Sequence, residues 1–366
     1  MIPGSRGGRP LARPEVCALP LYAPDAAECA VDVSDNTNLW GTPPAARRAL
    51  AEASGAELAR YPSLYGGPLR SAVLRYVGLA QAEGVGVVTG CGSDDVIDST
   101  MRAFGAPGDL LAFSSPTFSM IPTFARLNGL EPVSIPLTAG YDVDAERLVE
   151  LGAKITYLCT PNNPTATALS RAAVEYVAAN ASGVVLLDEA YAEFAPDTFV
   201  HLVERFDRLV VTRTFSKAFG LAGLRVGYGV GSTEMIGMIE RARGPYKVNA
   251  LAERAALAAL GDGNDAVGWV RAHATLAIEN RERLADGLRA LGFAPLPSAA
   301  NFVFVPRERA GLLARRMRAR GLLVRALSGL PLDLAELARS NGEALRIGIG
   351  PWDMMQTVLD RLAEVA

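Results

Sequence analysis

The sequence predicts an α/β protein: a large domain built on a mainly parallel sheet flanked by helices, followed by a small α+β domain. Two observations predict it. Short, unbroken apolar runs such as Ile155–Cys159, Val184–Leu187 and Leu209–Val211 alternate with helical patterns, as parallel strands covered on both faces do. From about Gly263 the pattern changes to a long helix rich in Arg and Glu, then to alternating strands. The expected boundaries are 1–44 for an N-terminal arm with part of the small domain, 45–262 for the large domain and 263–366 for the small C-terminal domain.

Residues 1–30 read as an irregular arm, because Pro3, Pro10, Pro14, Pro20 and Pro24 prevent long helices. Tyr22 is its aromatic residue and a possible anchor on a partner subunit. The polar, turn-rich stretch Asp35–Pro44 leads into a helix expected from Ala45 to about Arg60, and Tyr61-Pro62 ends it. A second helix is expected over Leu69–Ala80. Gly86 to Asp95 reads as strand, Gly-rich turn and helix start, with Asp94 or Asp95 as a cap; such a helix N-terminus can hold a phosphate. Short strands follow at Leu110–Phe113, Pro132–Ile135, Ile155–Cys159, Val184–Leu187 and Leu209–Thr212. In the C-terminal part a helix over Ala266–Leu291 precedes strands at Asn301–Val305, Gly321–Arg325 and Ala344–Ile349.

The composition excludes several classes. The 366 residues are 50% hydrophobic and 20% charged, with net charge −3 and no dense Lys/Arg block, so neither nucleic acid nor an anionic membrane is expected as a partner. No run reaches the roughly 18 apolar residues of a membrane span. Met1–Arg13 lacks the apolar stretch of a secretory leader. Cys17, Cys29, Cys91 and Cys159 show no CxxC spacing and the histidines are His201 and His273, so no metal site is expected and a reducing cytoplasm fits.

The chemistry centres on Thr212–Arg225. One lysine, Lys217, stands there among Thr214, Ser216, Gly220 and Gly223, with Arg225 eight residues on. A lone lysine after a strand is commonly a surface residue; its neighbours point elsewhere. Lysine in an apolar, Gly-rich turn can have a lowered pKa and attack an aldehyde. Asp188 ends an apolar strand and needs a cationic partner, which a protonated pyridine nitrogen would supply. Tyr191 and Asn163 could reach the ring edge, and Phe118 could stack on its face or simply be core. Gly92, Ser93, Thr214, Ser216 and Arg225 could hold a phosphate. Together these describe pyridoxal phosphate. Arg346, on an otherwise apolar late strand, is a candidate for a substrate carboxylate, and Arg325 for a second anion.

The chain resembles the fold type I pyridoxal-phosphate aminotransferases, and within them the histidinol-phosphate aminotransferases. The matching strings include Asn38-Leu39-Trp40-Gly41, Arg60-Tyr61-Pro62, Gly90–Asp94, Pro116–Met120, Pro161–Thr165, Asp188–Phe194, Arg213–Gly227, Pro245-Tyr246, Ala300–Phe302 and Leu345–Ile347. The resemblance implies an aspartate-aminotransferase-like fold and a homodimer in which Tyr61 reaches the neighbouring site. It implies that Lys217 carries the cofactor and moves the proton, that Asp188 pairs with the ring nitrogen, and that Tyr191 and Asn163 contact the ring oxygen. Phe118 is then the stacking residue; Gly92, Ser93, Asp94, Thr214, Ser216 and Arg225 surround the phosphate. Arg346 would bind the donor's carboxylate, and Tyr22, Tyr61 and Arg325 the substrate phosphate. Asn38 and Trp40 are expected at the substrate pocket.

Three departures from the family's strings bear on substrate. Asn-Pro-Thr-Gly is here Asn163-Pro164-Thr165-Ala166, so a different turn is expected. Pro-Tyr-Asn is Pro245-Tyr246-Lys247, which adds a charge near the pocket, and Trp40 is bulky enough to narrow it. The expected reaction is transamination between histidinol phosphate and 2-oxoglutarate, so the partners are an amine phosphate or amino acid and a 2-oxo acid. The alternatives are an aminotransferase of aromatic or specialised metabolism, and a decarboxylase of a phosphorylated amino acid.

Overall fold

The computed structural model describes residues 11–19, 29–261, 263 and 265–365. Its strands are β1 (Val31–Asp32), β2 (Val85–Gly90), β3 (Leu110–Ser115), β4 (Glu131–Pro136), β5 (Ile155–Cys159), β6 (Val184–Asp188), β7 (Leu209–Thr214), β8 (Gly227–Ser232), β9 (Phe302–Pro306), β10 (Leu322–Leu323), β11 (Arg325–Leu327) and β12 (Ala344–Gly348). A seven-stranded sheet has the order β2-β8-β7-β6-β5-β3-β4. From β7 to β4 its neighbours are parallel, and β8 runs antiparallel to both β7 and β2. The chain is thus the expected α/β protein with a mainly parallel sheet flanked by helices.

Every residue of β5, β6 and β7 is buried, which is why these strands read as continuous apolar runs instead of alternating ones. Alternate side chains still go to opposite faces. Leu186 and Val210 join one core with Tyr157 and Cys159; Val185, Leu187 and Val211 join the other. By the same alternation Asp188 and Thr212 fall on the face of Tyr157, and Arg213 on the face of Val211. A smaller sheet has the order β11-β12-β9, antiparallel throughout, and β1 pairs with β10.

The sequence reading had no place for β8. The strand reads Gly-Tyr-Gly-Val-Gly-Ser, a poor strand on propensity. Packing explains it: a Cβ on Gly227 would lie 2.4 Å from the Ser93 nitrogen, and one on Gly229 2.8 Å from Val96 Cγ1. Glycine at every second position lets helix Ser93–Phe104 rest directly on the sheet, with its N-terminus at the edge where β5, β6 and β7 end.

The expected Ala45–Arg60 helix is two helices, Pro44–Ala51 and Gly55–Leu58. Ser54 starts the second with a capping box: its hydroxyl accepts from the Glu57 amide and the Glu57 carboxylate accepts from the Ser54 amide. The second expected helix runs Gly67–Tyr76 instead of Leu69–Ala80, and the long one is Ala266–Ala290. Among the described residues no helix is long and apolar enough to cross a membrane.

Candidate active site

A cavity of about 430 Å³ opens where the parallel strands end. Ser93, Asp94, Phe118, Asn163, Asp188, Tyr191, Thr214, Ser216, Lys217 and Arg225, all expected from sequence, line it together with Met120, Phe124, Cys159 and Ala190. The topology accounts for the convergence. β5, β6 and β7 run side by side, with Cys159 opposite Asp188 and Asp188 opposite Thr212. The chain leaves β7 through Lys217 and returns through Arg225 into antiparallel β8, so both cations stand at one sheet edge. The amide of Phe215 donating to the Val226 carbonyl (3.1 Å) closes that loop.

Asp188 is only 4% exposed. One carboxylate oxygen accepts from the Tyr157 hydroxyl at 3.0 Å; the other accepts from Thr212 Oγ1 at 3.1 Å and the Ala190 amide at 3.2 Å. Burial pushes its pKa up to about 6, although these donors favour the charged form. Tyr157 was not expected at the site: an aromatic inside an apolar strand reads as core, and only the neighbouring strand reveals its partner. Behind the sheet edge, Arg213 donates to Glu189 from Nε (2.9 Å) and Nη2 (2.7 Å), a buried ion pair joining the ends of β6 and β7.

Lys217 has its pKa lowered to about 8, first by burial and then by the Arg346 charge; Asp94 and Asp35 oppose this. Its Nζ donates to the Asp35 carbonyl at 3.4 Å and stands 5.7 Å from the Tyr191 ring centre. The Tyr191 hydroxyl accepts from Asn36 Nδ2 at 3.2 Å, and burial pushes its pKa up to about 12.

The expected cap does not form at helix Ser93–Phe104. The N-cap is Gly92, which has no side chain to offer, and Asp94 and Asp95 sit inside the first turn. Asp95 accepts instead from the Cys91 amide (3.0 Å) and pairs with Lys247 (2.9 Å), so the Lys247 charge is neutralised there. Asp94 lies 3.4 Å from Arg225 Nη2. Gly92 adopts φ 82°, which strains any residue with a Cβ, and a Cβ there would come 2.7 Å from Arg225 Nη2 and push that side chain aside. Arg225 Nη1 donates to Ser216 Oγ at 3.4 Å, and Thr214 Oγ1 donates to the same oxygen at 2.9 Å.

Arg346 and Arg325 are not among the residues lining the cavity; Arg346 donates to one of them, at Asn163 Oδ1 (2.8 Å), and to the Ser34 carbonyl (2.9 Å). Arg325 lies directly across the ladder from Arg346 and pairs with Asp35 at 3.1 Å. Asn38 Nδ2 donates to the Ala218 carbonyl at 2.8 Å and so braces the loop after Lys217. Trp40 packs edge-on against His273, with ring centres 6.1 Å apart, and is not among the residues lining the cavity. Tyr61 is also outside it: it is 82% exposed and stacks on Tyr246. Tyr22 falls outside the described residues.

Ala166 occupies the family's glycine position with φ 65°, its amide donating to the Asn162 carbonyl at 2.8 Å. The left-handed region costs a residue with a Cβ about 1–2 kcal/mol, while glycine gains back part of that as chain entropy in the unfolded state. Ala166→Gly is expected to stabilise the protein by about 0.5–1 kcal/mol, raising the melting temperature by roughly 1–2 °C. A lower melting temperature would show that packing of the buried methyl group outweighs the strain.

The family model of the class I and II aminotransferases matches residues 30–362. A histidinol-phosphate aminotransferase of Roseiflexus castenholzii is 37% identical over 97% of this chain and 98% of its own length. One from Thermobifida fusca is 39% identical over 74% and 76%. The crystal structure of histidinol-phosphate aminotransferase from Sinorhizobium meliloti with pyridoxal 5'-phosphate superposes with TM-score 0.85 at 24% identity, covering 99% of both chains. A mutant of Thermus thermophilus aspartate aminotransferase gives TM-score 0.81 at 21% identity, over 98% of this chain and all of that one. These last two are likenesses of fold. The family match spans nearly the whole chain, the lysine–aspartate–arginine edge described above included: the chain belongs to the class I and II aminotransferases and is a pyridoxal-phosphate-dependent transaminase.

Proposed function

We propose that the protein transfers an amino group between histidinol phosphate and 2-oxoglutarate. The observation that carries the reading is the pair Arg325 and Arg346, opposite each other on antiparallel strands, with Arg346 bonded to the lining residue Asn163. A substrate with an anion at each end can meet both guanidinium groups, and an amine with one phosphate can meet a single one through that phosphate. The names of the relatives support the same substrate.

The cavity fits the cofactor. Gly92 leaves the first amides of helix Ser93–Phe104 without a side-chain cap, and Ser93, Thr214, Ser216 and Arg225 surround that helix end. An anion there meets free N–H groups, the positive helix end and a guanidinium. Asp188, whose partners are the Tyr157 and Thr212 hydroxyls and the Ala190 amide, is placed for a ring nitrogen, Asn163 and Tyr191 for the ring oxygen, and Phe118 for the ring face. When bound, pyridoxal phosphate supplies the electron sink that stabilises negative charge at the substrate Cα. Lys217 attaches the cofactor and carries the proton to and from Cα; its lowered pKa keeps part of it uncharged near neutrality. Asp188 holds the proton on the ring nitrogen. Arg346 binds the α-carboxylate of glutamate, and Arg325 the substrate phosphate. Asn38 is a positioning residue acting on the Lys217 loop; Trp40 acts at one remove, through its amide, which donates to Asn38 Oδ1 at 3.0 Å.

The cofactor-binding unit is 45–262. Residues 263–366 form a smaller unit, to which the N-terminal segment adds β1 against β10. The assembly is a homodimer. Tyr61, exposed in one protomer, reaches the partner's cavity; the enzyme works in the cytoplasm.

Single-turnover mixing of the holoenzyme with histidinol phosphate, histidinol, phenylalanine and glutamate tests this through the cofactor absorbance. Conversion by histidinol phosphate and glutamate is expected. Conversion by phenylalanine but not histidinol phosphate would move the enzyme to another pathway. Arg325→Ala is expected to slow histidinol phosphate by about 100-fold and histidinol by less than threefold, the scale of a charge-assisted anion contact. Equal losses would remove Arg325 from the phosphate role.

A further inference from the structure

Segment 34–36 lies across the cations of the site. The Ser34 carbonyl accepts from Arg346, the Asp35 carbonyl from Lys217, and the Asp35 carboxylate from Arg325. The backbone is pinned on both sides. The Ser34 amide donates to Asp32 Oδ1 (2.9 Å); Asn36 donates to the Tyr191 hydroxyl, and its carbonyl accepts from Asn301 Nδ2 (3.1 Å). The Asp35 side chain is free to turn, being 54% exposed, whereas Arg325 is 18% exposed. A fixed backbone thus presents a movable carboxylate to a largely enclosed guanidinium.

A transaminase must pass two different substrates through one site. A substrate with an anionic tail can pair with Arg325, but one with a neutral tail would leave that guanidinium enclosed without a counter-charge, which is costly. We propose that Asp35 is a specificity-determining residue that pairs with Arg325 when the substrate's tail is neutral and turns away to solvent when the tail is anionic. The site then accepts amino acids and amines with neutral tails beside those with a carboxylate or phosphate tail, and its preference for anions is blunted. This rests on the reading of Arg325 as the residue for the substrate's distal anion.

Glutamate and glutamine have nearly the same shape and differ in tail charge. Single-turnover rates with the two, and the dissociation constant of the unreactive diacid glutarate from the change in cofactor absorbance, read the tail directly on the holoenzyme. In Asp35→Asn the glutamate-to-glutamine ratio of specificity constants is expected to rise about tenfold and glutarate to bind about tenfold tighter, as suits removal of one competing, partly screened charge. Asp35→Ala should move both in the same direction. Arg325→Ala should bring the ratio down about tenfold. If Arg325→Ala leaves the ratio unchanged, the reading of Arg325 fails and this proposal with it. If Arg325→Ala lowers the ratio but Asp35→Asn leaves the ratio and the glutarate constant within twofold, Arg325 keeps its role and the proposal is overturned. A change in only one of the two Asp35 variants would trace the effect to the shape of the segment and overturn it as well.

Discussion

Replacing Lys217 with alanine is expected to abolish transamination, slowing the half-reaction with glutamate by at least about 10⁴-fold, the upper range for loss of a general acid–base. Lys217 is the amine at the edge where β5, β6 and β7 end together. Its surroundings prepare it for the work: burial and the nearby Arg346 charge lower its pKa to about 8. At pH 7 about one such lysine in ten is uncharged, against roughly one in 2,500 for a free lysine. The apo-enzyme should therefore take up the cofactor faster as pH rises, by about tenfold per unit below pH 8, and level off above it. The sign is fixed by the amine: only its uncharged form attacks an aldehyde. In Lys217→Ala the fold should survive, because the change removes a cation from beside Arg346 and Arg225 and opens no core. Circular dichroism should show an unchanged spectrum and a melting temperature no lower than that of the wild type, because the buried ammonium is disfavoured in the folded state. Normal turnover in this variant would sink the assignment of the lysine.

Much of the fold and of the site was legible in the sequence because both depend on local features. Strands buried on both faces leave unbroken apolar runs, and Asn163, Asp188 and Lys217 come just after such runs, where parallel sheets gather ligands. What escaped depends on contacts between distant elements. β8 is a strand because helix Ser93–Phe104 needs its glycines, and nothing within Gly227–Ser232 says so. Tyr157 looks like core until β6 is laid beside β5. The pairing of Asp35 with Arg325 joins residues 290 positions apart, and neither neighbourhood in the sequence announces the other. The break at Ser54 had a local signal, Ser54 three residues before Glu57, which the helical spacing of the apolar residues around it masked.

Asp188→Asn is expected to slow the half-reaction by roughly 10²–10³-fold, about 3–4 kcal/mol of barrier, the scale of a lost charge stabiliser. The asparagine keeps the shape: its oxygen can still accept from Thr212 and the Ala190 amide, and its Nδ2 can donate to the Tyr157 hydroxyl, so the loss reports the charge. An unchanged rate would count against pairing with the ring nitrogen. A second measurement isolates the same carboxylate without turnover. In the apo-enzyme burial raises the Asp188 pKa from 3.8 to about 6. Between these values the folded state holds a proton that the unfolded chain has released, so stability falls as pH rises through the window. A shift of about two units corresponds to roughly 3 kcal/mol. The apo wild type should thus lose about that much stability between pH 4 and pH 7 relative to apo Asp188→Asn, which lacks the titrating group. Adding pyridoxal phosphate should reverse the trend, because a ring cation favours the carboxylate that burial disfavours. Equal pH profiles for the two apo-proteins would place the buried charge elsewhere. If the loaded wild type still loses stability as pH rises, as the apo-protein does, the ring nitrogen does not find Asp188.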